Sequence, residues 1–487
     1  FKQKTAYEIG VRLVGSEMCI RDRAIDSRRC VVCVLVVLTV QLSTAENGHA
    51  QDRNDSQAKT PATTEEVSQM KVAAIVTTFF SDSHASHIVS KFLQGFPTDD
   101  ELVAPHSKIA SLYIDQIHEG DVGRQIAHKF DIPIYESIRG ALTLGTNELA
   151  VDAVLLIAEH GDYSISQLGQ EMLPRRYFFE QIVGVIGQSD RTIPIFSDKH
   201  FAYRWEDAKW MYDTIKAMQI PFWAGSAMPV VWRNPNWEHP MGEAIDEAMV
   251  VSFHMVERYG FHALEILQSN VERRRGGETG VRAVQCLSGE DVWKAEQQGK
   301  WSLKLANQAL VQIENGPGEL DPTKVRNPHV FLIEYVDGLQ AAVLMLGDGY
   351  IRKHSYAQQR DGTIDALEYN TQSGGRVLAF GYMALNIDRF FRSGVLPNAI
   401  ERTYLTTGML EAAMISRGRG GEWVETPHLE SIQYQPCETA VRPSNPRPAG
   451  LSLMVWPKLE PGATPAATSI RTTRDGTVGG RKRRNQR

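Results

Sequence analysis

The hydrophobic pattern between residues 71 and 224 alternates short apolar runs with amphipathic stretches. The runs have the length of buried strands, and the stretches have the period of a helix. A chain that repeats strand, helix and strand crosses its sheet with every helix, so its strands become parallel and its helices cover both faces. The pattern predicts a doubly wound α/β domain over residues 71–228, with strands at 72–76, 109–114, 151–157, 193–196 and 221–224 and helices at 83–94, 121–130, 169–187 and 205–218.

The pattern changes after Gly225. Alternating apolar residues surround Asp337-Gly338 and Asp361-Gly362, dipeptides that favour the tight turns of β-hairpins. Helical patterns at 258–273 and 402–416 flank these hairpins. We therefore expect an α+β domain with a largely antiparallel sheet over residues 229–436.

The two ends of the chain do not follow these patterns. Residues 1–23 resemble translated sequencing-adapter sequence through the motif MCIRD, and we exclude them from the fold. Residues 24–50 combine a basic start, an apolar run and small-residue cleavage positions, as in an export signal peptide, which predicts a periplasmic or extracellular location. We expect a flexible linker at 51–70 and a disordered basic tail at 437–487.

Composition narrows the possible partners. The chain of 487 residues has a formal net charge of −6, and its basic residues concentrate at the two ends, so the predicted globular body is acidic. An acidic body argues against nucleic acid as a partner, because phosphates need a basic face, although the basic tail could bind polyanions. The apolar run of the signal is shorter than the roughly 20 residues of a membrane span, so we expect no stable span after cleavage.

Cys286 and Cys437 lie outside the signal and could pair, although two isolated cysteines are more often free.

Titratable side chains follow three of the predicted parallel strands. Asp115 follows the strand at 109–114, Glu159 and His160 follow the strand at 151–157, and Asp198 and Lys199 follow the strand at 193–196. Open α/β sheets bind ligands at the carboxyl ends of their strands, which makes these residues candidates for a binding site. Polar residues are also ordinary at strand ends, so position alone does not settle a role. The later pair Arg175-Arg176 could hold an anionic substrate, but such a pair is more often found on a solvated helix face, where we expect it.

Three longer motifs resemble one known family in their order and spacing. They are VDAVLLIAEHGDY, IPIFSDKHFAYRWEDAKWMYDTIKAMQIPFWAGSAMP and ERYGFHALEIL, and the resemblance extends over about residues 71–429. The family is that of glucose–fructose oxidoreductase and inositol dehydrogenase. Its Glu-Lys-Pro motif is matched by Asp198-Lys199-His200, and its Asp-x-Gly-x-His-x-x-Asp motif is matched in part, with Arg258 at the first acid, and His262 and Glu265 at the last two positions.

The resemblance implies a Rossmann-type dinucleotide-binding domain followed by a substrate and oligomerisation domain. It implies NAD or NADP as cofactor, a sugar, a polyol or a related carbohydrate as substrate, and a homo-oligomer. Lys199 and His262 would be catalytic, because oxidation of a carbinol needs a base for the hydroxyl proton and a cation for the alkoxide. The alternatives for this pair are a solvated lysine and a histidine of the helical core.

The remaining site predictions divide between cofactor and substrate. The cofactor would contact Thr77, Thr78, Asp115, Glu159, His160 and Lys199. The substrate would contact Asp198 and Glu265, and also Trp232, since aromatic faces stack on sugar rings. Packing between the domains is the alternative for Trp232.

The first turn departs from the family. Its Gly-x-Gly-x-x-Gly sequence, which lets the backbone approach a pyrophosphate, is replaced by Thr77-Thr78-Phe79-Phe80-Ser81-Asp82. The hydroxyl groups could bind a cofactor in a shifted pose, or Ser81, Asp82 or Ser83 could simply cap the helix.

Three functions therefore remain open. The first is a nicotinamide-dependent oxidoreductase, and the second is a redox-inactive carbohydrate-binding relative. The third is a metal-dependent hydrolase or isomerase, with ligands taken from His200, His254, His262, Glu159 and Glu265.

Overall fold

The structure, a computed structural model, describes residues 69–98, 101–371, 379–437 and 439–443. The adapter-like segment, the export signal, almost all of the linker and most of the basic tail lie outside the described residues. Cys286 is buried, Cys437 is exposed, and both are free. Among the described residues, no helix combines the length and the apolar character needed to cross a membrane.

The first part of the described chain forms a parallel sheet with helices between its strands. Its five strands lie in the order β4-β1-β5-β6-β7, all parallel, which confirms the predicted doubly wound α/β fold. The elements are β1 (Met70–Val76), α1 (His84–Gln94), β2 (Phe96–Pro97), β3 (Leu102–Val103), β4 (Ser107–Ile114), α2 (Gly123–Lys129), α3 (Ile138–Thr143), β5 (Ala153–Ile157), α4 (Arg175–Ile186), β6 (Ile195–Asp198), α5 (Trp205–Met218) and β7 (Phe222–Gly225).

Burial explains why these strands read as continuous apolar runs. All five residues of β5 are buried, as expected for a strand covered on both faces.

The helix expected at 169–187 begins only at Arg175, because Pro174 precedes it and the residue before a proline disfavours helical backbone. The segment before it instead folds back on itself through a bridge between Ile165 and Glu171.

The second part of the chain forms an eight-stranded sheet in the order β15-β10-β11-β12-β9-β13-β14-β8. Its neighbouring strands are antiparallel except β12 and β9, which run parallel. The elements are β8 (Trp232–Asn234), β9 (Glu247–Ser252), α6 (Val256–Val271), β10 (Val281–Ser288), α7 (Glu290–Gln297), α8 (Leu303–Gln312), β11 (His329–Tyr335), β12 (Gln340–Met345), β13 (His354–Arg360), β14 (Thr363–Asn370), α9 (Ala379–Ser393), α10 (Ile400–Gly418), β15 (Val424–Glu425) and α11 (Pro427–Glu430), with short 3-10 turns at Met228–Val230 and Pro322–Lys324.

The two predicted hairpins lie in this second sheet. Asp337-Gly338 connects β11 to β12, and Asp361-Gly362 connects β13 to β14. Asp361, Gly338 and Gly362 have positive φ angles of 47°, 92° and 78°, the backbone conformation that such tight turns require. The expected largely antiparallel sheet is therefore present.

Helix α10 joins the two sheets. It packs against β7 and α5 on one side and against α6 and β10 on the other. A buried ion pair fixes it to α6, because the Arg402 guanidinium donates from Nε to Glu272 at 2.9 Å. The carboxyl end of the parallel sheet is thereby held against α6.

Helix α1 begins with a well-defined cap. The Ser83 hydroxyl accepts a hydrogen bond from the backbone N–H of Ser86 at 3.1 Å and donates one to the carbonyl of Phe80 at 2.7 Å. Ser83 is buried, so water cannot replace either bond. Of the capping residues predicted from the sequence, Ser83 is the one that caps the helix.

We expect Ser83→Ala to lower the free energy of unfolding by about 1 to 2 kcal/mol, because both hydrogen bonds of the cap are lost. Urea denaturation followed by circular dichroism measures the change. Ser81→Ala is the matched control, since Ser81 is exposed two residues earlier in the same turn. Equal stability of the two variants would contradict the role of the cap.

Candidate functional site

The turn between β1 and α1 is filled by side chains. Thr77 and Thr78 are buried, and Phe79 is fully buried against Gly123, where an added Cβ would lie 2.7 Å from the Phe79 Cβ. Asp82 has a φ of 66°, so the backbone still bends as a glycine-containing turn would. The turn therefore keeps a left-handed bend without the open space that glycines provide.

Phe80 extends from this turn over the strand ends. Its ring stacks on His118 with centroids 4.3 Å apart and meets His160 edge-on at 5.3 Å. The backbone of Phe80 also forms a bridge with Asp121. Aromatic contacts thus cover part of the edge where a pyrophosphate lies in glycine-rich turns.

The predicted ribose-binding acid already has two partners. Asp115 is exposed, and its carboxylate accepts hydrogen bonds from the Tyr113 hydroxyl at 2.7 Å and from the Tyr163 hydroxyl at 2.8 Å. Beside it, Gln116 Oε1 accepts from the backbone N–H of Asp162 at 2.8 Å. Side chains after β4 and β5 are therefore tied together across the end of β1, although each Asp115 oxygen keeps a second acceptor site.

Glu159 lies at the centre of a buried ion-pair group. Its Oε2 accepts from the Arg175 guanidinium at 2.6 Å, and its Oε1 pairs with the Lys199 ammonium. Burial alone would raise the pKa of Glu159, but Lys199, His84 and Arg175 outweigh it and hold that pKa well below its ordinary value. Arg175 is buried rather than solvated, so the expectation for this residue was wrong.

Lys199 is held in an uncommon backbone conformation directly after β6. Its φ is 68°, and its N–H donates to the carbonyl of Gly225 at 2.9 Å. A residue other than glycine is strained in this conformation, and such strain persists only where surrounding contacts fix the backbone. The ammonium itself is almost fully buried, which rules out the solvated-lysine alternative.

Three imidazoles gather around this ion-pair group. The His84 ring lies 5.5 Å from the His160 ring and 6.5 Å from the His262 ring, measured between centroids. His84 Nδ1 is 2.6 Å from Asp198 Oδ2. Lys199, through its pair with Glu159, and His262, through its ring contact with His84, therefore belong to the same cluster.

His84 was not among the residues predicted from the sequence. It is the first residue of α1, and in a doubly wound sheet the helix after β1 begins at the carboxyl edge. This position at the start of the helix was the sequence feature that could have identified His84 as a site residue. The sequence alone could not show that the imidazole meets Asp198, 114 positions away.

Burial keeps the imidazoles of His160 and His262 neutral. It is the largest cause that lowers the pKa of His160 to about 3 and the pKa of His262 well below its ordinary value, with Lys199 adding to the effect on His262. Burial likewise lowers the pKa of His354, which faces His262, to about 3. A neutral imidazole can accept a proton, which an imidazolium cannot.

Several polar atoms of the group have no hydrogen-bond partner among the described residues, although buried polar groups usually have one. They are Thr78 Oγ1, His160 Nε2, Asp198 Oδ1 and His262 Nδ1. Their unused hydrogen-bonding capacity at the carboxyl edge is what a site for a polar ligand requires.

Two predicted substrate contacts are already engaged by neighbouring protein groups. Glu265 accepts from the hydroxyls of Thr406 at 2.8 Å and Thr403 at 3.2 Å, and burial raises its pKa. It thus connects α6 to α10. Trp232 of β8 is buried and meets Tyr382 of α9 edge-on at 5.6 Å, a contact within the second part of the chain. Substrate contact by either residue stays a prediction.

The ligands proposed for a metal from the sequence do not assemble as a set. His254 pairs with Asp348 on the exposed loop after β9, and His200 Nδ1 lies 2.9 Å from the carbonyl of Ala202. Glu265 is occupied by hydroxyl groups of α10. The described residues that could share a metal are instead His84, Glu159 and His160.

A nicotinamide dinucleotide fits one end of this site better than the other. The unpartnered imidazole atoms and the Lys199 ammonium suit the reacting end, where a proton and an alkoxide must be handled. The turn offers the unpartnered Thr78 hydroxyl but no glycine cradle, and Phe80 covers part of it. The pyrophosphate pose of glycine-rich turns therefore does not fit, and contact would have to run through Thr77 and Thr78 instead.

Replacement of Glu159 by glutamine should lower the free energy of unfolding by about 3 kcal/mol or more, because it leaves two buried cations without a counter-charge. Chemical denaturation followed by tryptophan fluorescence measures the loss. Glu180→Gln is the matched control. Glu180 is exposed and pairs with Arg176 at 2.7 Å on α4, the helix that also carries Arg175. It should cost less than about 1 kcal/mol. Similar losses in both variants would be incompatible with a buried ion-pair group.

Stability should fall as the pH drops from about 6.5 towards about 3, because unfolded histidines bind protons that the folded protein does not. The pKa of His354 is lowered to about 3, so this residue contributes about 1.4 kcal/mol per pH unit in that window. His354→Asn should reduce the slope of unfolding free energy against pH by that amount, measured between about pH 6 and pH 4. A slope identical to that of the unmodified protein would show that His354 titrates normally.

Comparison with known proteins finds similarity to solved structures. No family model matches the chain, and no curated protein matches it. Similar solved structures include GenD2 from gentamicin A biosynthesis in complex with NAD, at 10% identity and a TM-score of 0.49, covering 74% of this chain and 97% of that one. Another is myo-inositol dehydrogenase from Lactobacillus casei in complex with NAD(H) and myo-inositol, at 12% identity and 0.45, covering 74% and 97%. A third is apo scyllo-inositol dehydrogenase from the same organism, at 8% identity and 0.45, covering 73% and 98%.

Proposed function

We propose that this protein is an oxidoreductase that transfers hydride between a nicotinamide cofactor and a hydroxyl-bearing carbohydrate, such as a sugar or polyol. The observation that carries the proposal is the buried cluster at the carboxyl edge of the parallel sheet. In it, Lys199 pairs with Glu159, and the His262 ring stacks 6.5 Å from the His84 ring. Oxidation of a carbinol requires a group that accepts the hydroxyl proton and a positive charge near the developing alkoxide. This site has one of each.

His262 is the proton acceptor in this proposal. Its imidazole is neutral because burial and the nearby Lys199 ammonium lower its pKa, and its Nδ1 has no hydrogen-bond partner among the described residues. A neutral nitrogen without a partner can take the hydroxyl proton without breaking an existing bond. In the reverse reaction the same nitrogen returns the proton.

Lys199 stabilises the alkoxide. Glu159 and the strained backbone after β6 hold the lysine in place, and Arg175 holds Glu159 from the other side. A preorganised charge in a dry site stabilises a transition state more than the same charge in water. The nicotinamide, when bound, supplies the hydride acceptor; Thr78, Asp115 and His160 are the residues available to hold the cofactor.

A second candidate is a redox-inactive protein that binds a carbohydrate without changing it. The turn after β1 favours this alternative, because Phe80 covers it and no glycine opens it. The hydrogen bonds from Tyr163 to Asp115 and from Asp162 to Gln116 also cross the path of a dinucleotide. The unpartnered polar atoms would then hydrogen-bond to sugar hydroxyls.

Titration with NADH and NADPH, followed through nicotinamide fluorescence and energy transfer from tryptophan, separates the two candidates. We expect saturable binding of one nucleotide, and reduction of the oxidised form when sugars and polyols are screened as substrates. Lys199→Met should lower kcat about 100-fold or more while nucleotide binding persists. Lys209→Met is the control, because Lys209 forms an exposed pair with Asp213 on α5.

Two results would count against the oxidoreductase. The absence of any response to either nucleotide, together with quenching of tryptophan fluorescence by a sugar, would favour the binding protein. Unchanged turnover in Lys199→Met would show that the assigned chemistry is wrong even if a nucleotide binds.

Export through the segment 24–50 and assembly into a homo-oligomer are part of the same proposal. Both come from the sequence and its family resemblance. Amino-terminal sequencing of the mature protein and its mass in solution measure them directly.

A further inference from the structure

Three metal-ligating side chains converge beside the proposed reaction site. His84 comes from the start of α1, and Glu159 and His160 follow β5. One possible ligand atom from each lies within 4.8 Å of the other two. The proposed hydride transfer uses Glu159 to hold Lys199 and His160 to contact the cofactor, but it does not account for His84 beside them.

Neighbouring groups orient each of the three ligands. Asp198 Oδ2 lies 2.6 Å from Nδ1 of His84, which leaves Nε2 of that ring for another partner. Arg175 holds Oε2 of Glu159 at 2.6 Å, and Nε2 of His160 is buried without a hydrogen-bond partner among the described residues. A carboxylate that orients a metal-bound imidazole through its second nitrogen is a recurring arrangement in metal sites.

Aromatic rings enclose the three ligands. Phe80 meets His160 edge-on at 5.3 Å, and Phe380 meets His84 edge-on at 5.0 Å. A hydrophobic surrounding limits access of water and strengthens the interaction of a cation with its ligands. The side chain of His84 is 15% exposed, which leaves a route for an ion to enter.

The main competitor for such an ion is Lys199. Its ammonium pairs with the Glu159 oxygen that Arg175 leaves unoccupied. Four formal charges thus surround the imidazoles, two from carboxylates and two from basic side chains. A divalent cation would have to displace the ammonium from Glu159, so its affinity depends on that exchange.

We propose that His84, Glu159 and His160 form a binding site for a divalent metal ion of the zinc type, with Asp198 orienting His84. Two imidazoles and one carboxylate are a ligand set that zinc adopts when a fourth position stays open for water or substrate. The site holds the ion when Lys199 releases Glu159. This binding is independent of whether the protein uses a nicotinamide cofactor.

The test is a titration of the full chain, purified without a polyhistidine tag and treated with a chelator, with Co²⁺ as the spectroscopic probe. We expect one equivalent of Co²⁺ to produce the visible absorption of a low-coordinate site, and Zn²⁺ to displace it. His84→Ala and His160→Ala should each weaken binding by about 100-fold or more, and Asp198→Asn by about tenfold. His254→Ala is the control, since His254 forms its own exposed pair with Asp348.

The Lys199→Met variant is the decisive test, because it should strengthen Co²⁺ binding where the other variants weaken it. Removal of the competing ammonium should tighten Co²⁺ binding by about tenfold or more, a gain that misfolding cannot imitate. No absorption with Co²⁺, binding that survives His160→Ala, or a Lys199→Met variant that binds no more tightly would each overturn the proposal. Nucleotide binding is measured separately, so either proposal can fail without the other.

Discussion

The two ion pairs of Glu159 are the interaction on which the rest of the site depends. Removing three charges from water is costly, and the cost is offset only because Arg175 and Lys199 each take one carboxylate oxygen. The pairs connect the end of β5, the start of α4 and the residue after β6. They therefore fix the position of Lys199, and with it the distances at which His84, His160 and His262 meet.

The turn after β1 shows that a Rossmann-type sheet does not need glycine in order to fold. Burial of β1 and the cap at Ser83 specify the strand and the helix, and Asp82 adopts the left-handed backbone that glycine usually supplies. Glycine is needed there for close approach of a pyrophosphate. A chain can therefore lose the phosphate cradle and keep the fold, and the space near the helix start then accommodates the imidazole of His84.

The sequence predicted those features that depend on local pattern. The parallel strands appear as buried runs, and the two Asp-Gly hairpins require particular backbone angles at those residues. The start of α4 was placed too early because a helical period continues through 169–174, although Pro174 was a visible signal against it. Ile134 pairs with the parallel sheet only through a single bridge to Leu112. So short a pairing leaves no hydrophobic period in the sequence from which it could be predicted.

The site could be predicted only in part, because its contacts join residues far apart in the chain. Lys199, His262, Glu159 and His160 followed from strand ends and family motifs. The roles of His84 and Arg175 could not follow, since nothing local distinguishes a ring that faces solvent from one that meets Asp198. Glu265 matches a motif position, yet its hydrogen bonds to α10 depend on how that helix packs between the sheets.

The charge of the site is governed by one exchangeable contact. Burial holds the imidazoles of His160 and His262 neutral, so they add no charge to the group near neutral pH. Arg175 is fully enclosed, whereas the Lys199 ammonium is a point charge on a flexible chain. An alkoxide would draw that ammonium towards itself, and a metal ion on Glu159 would displace it. In either proposal the ligand would act through the Lys199–Glu159 pair, whose lysine is positioned by the strained backbone after β6.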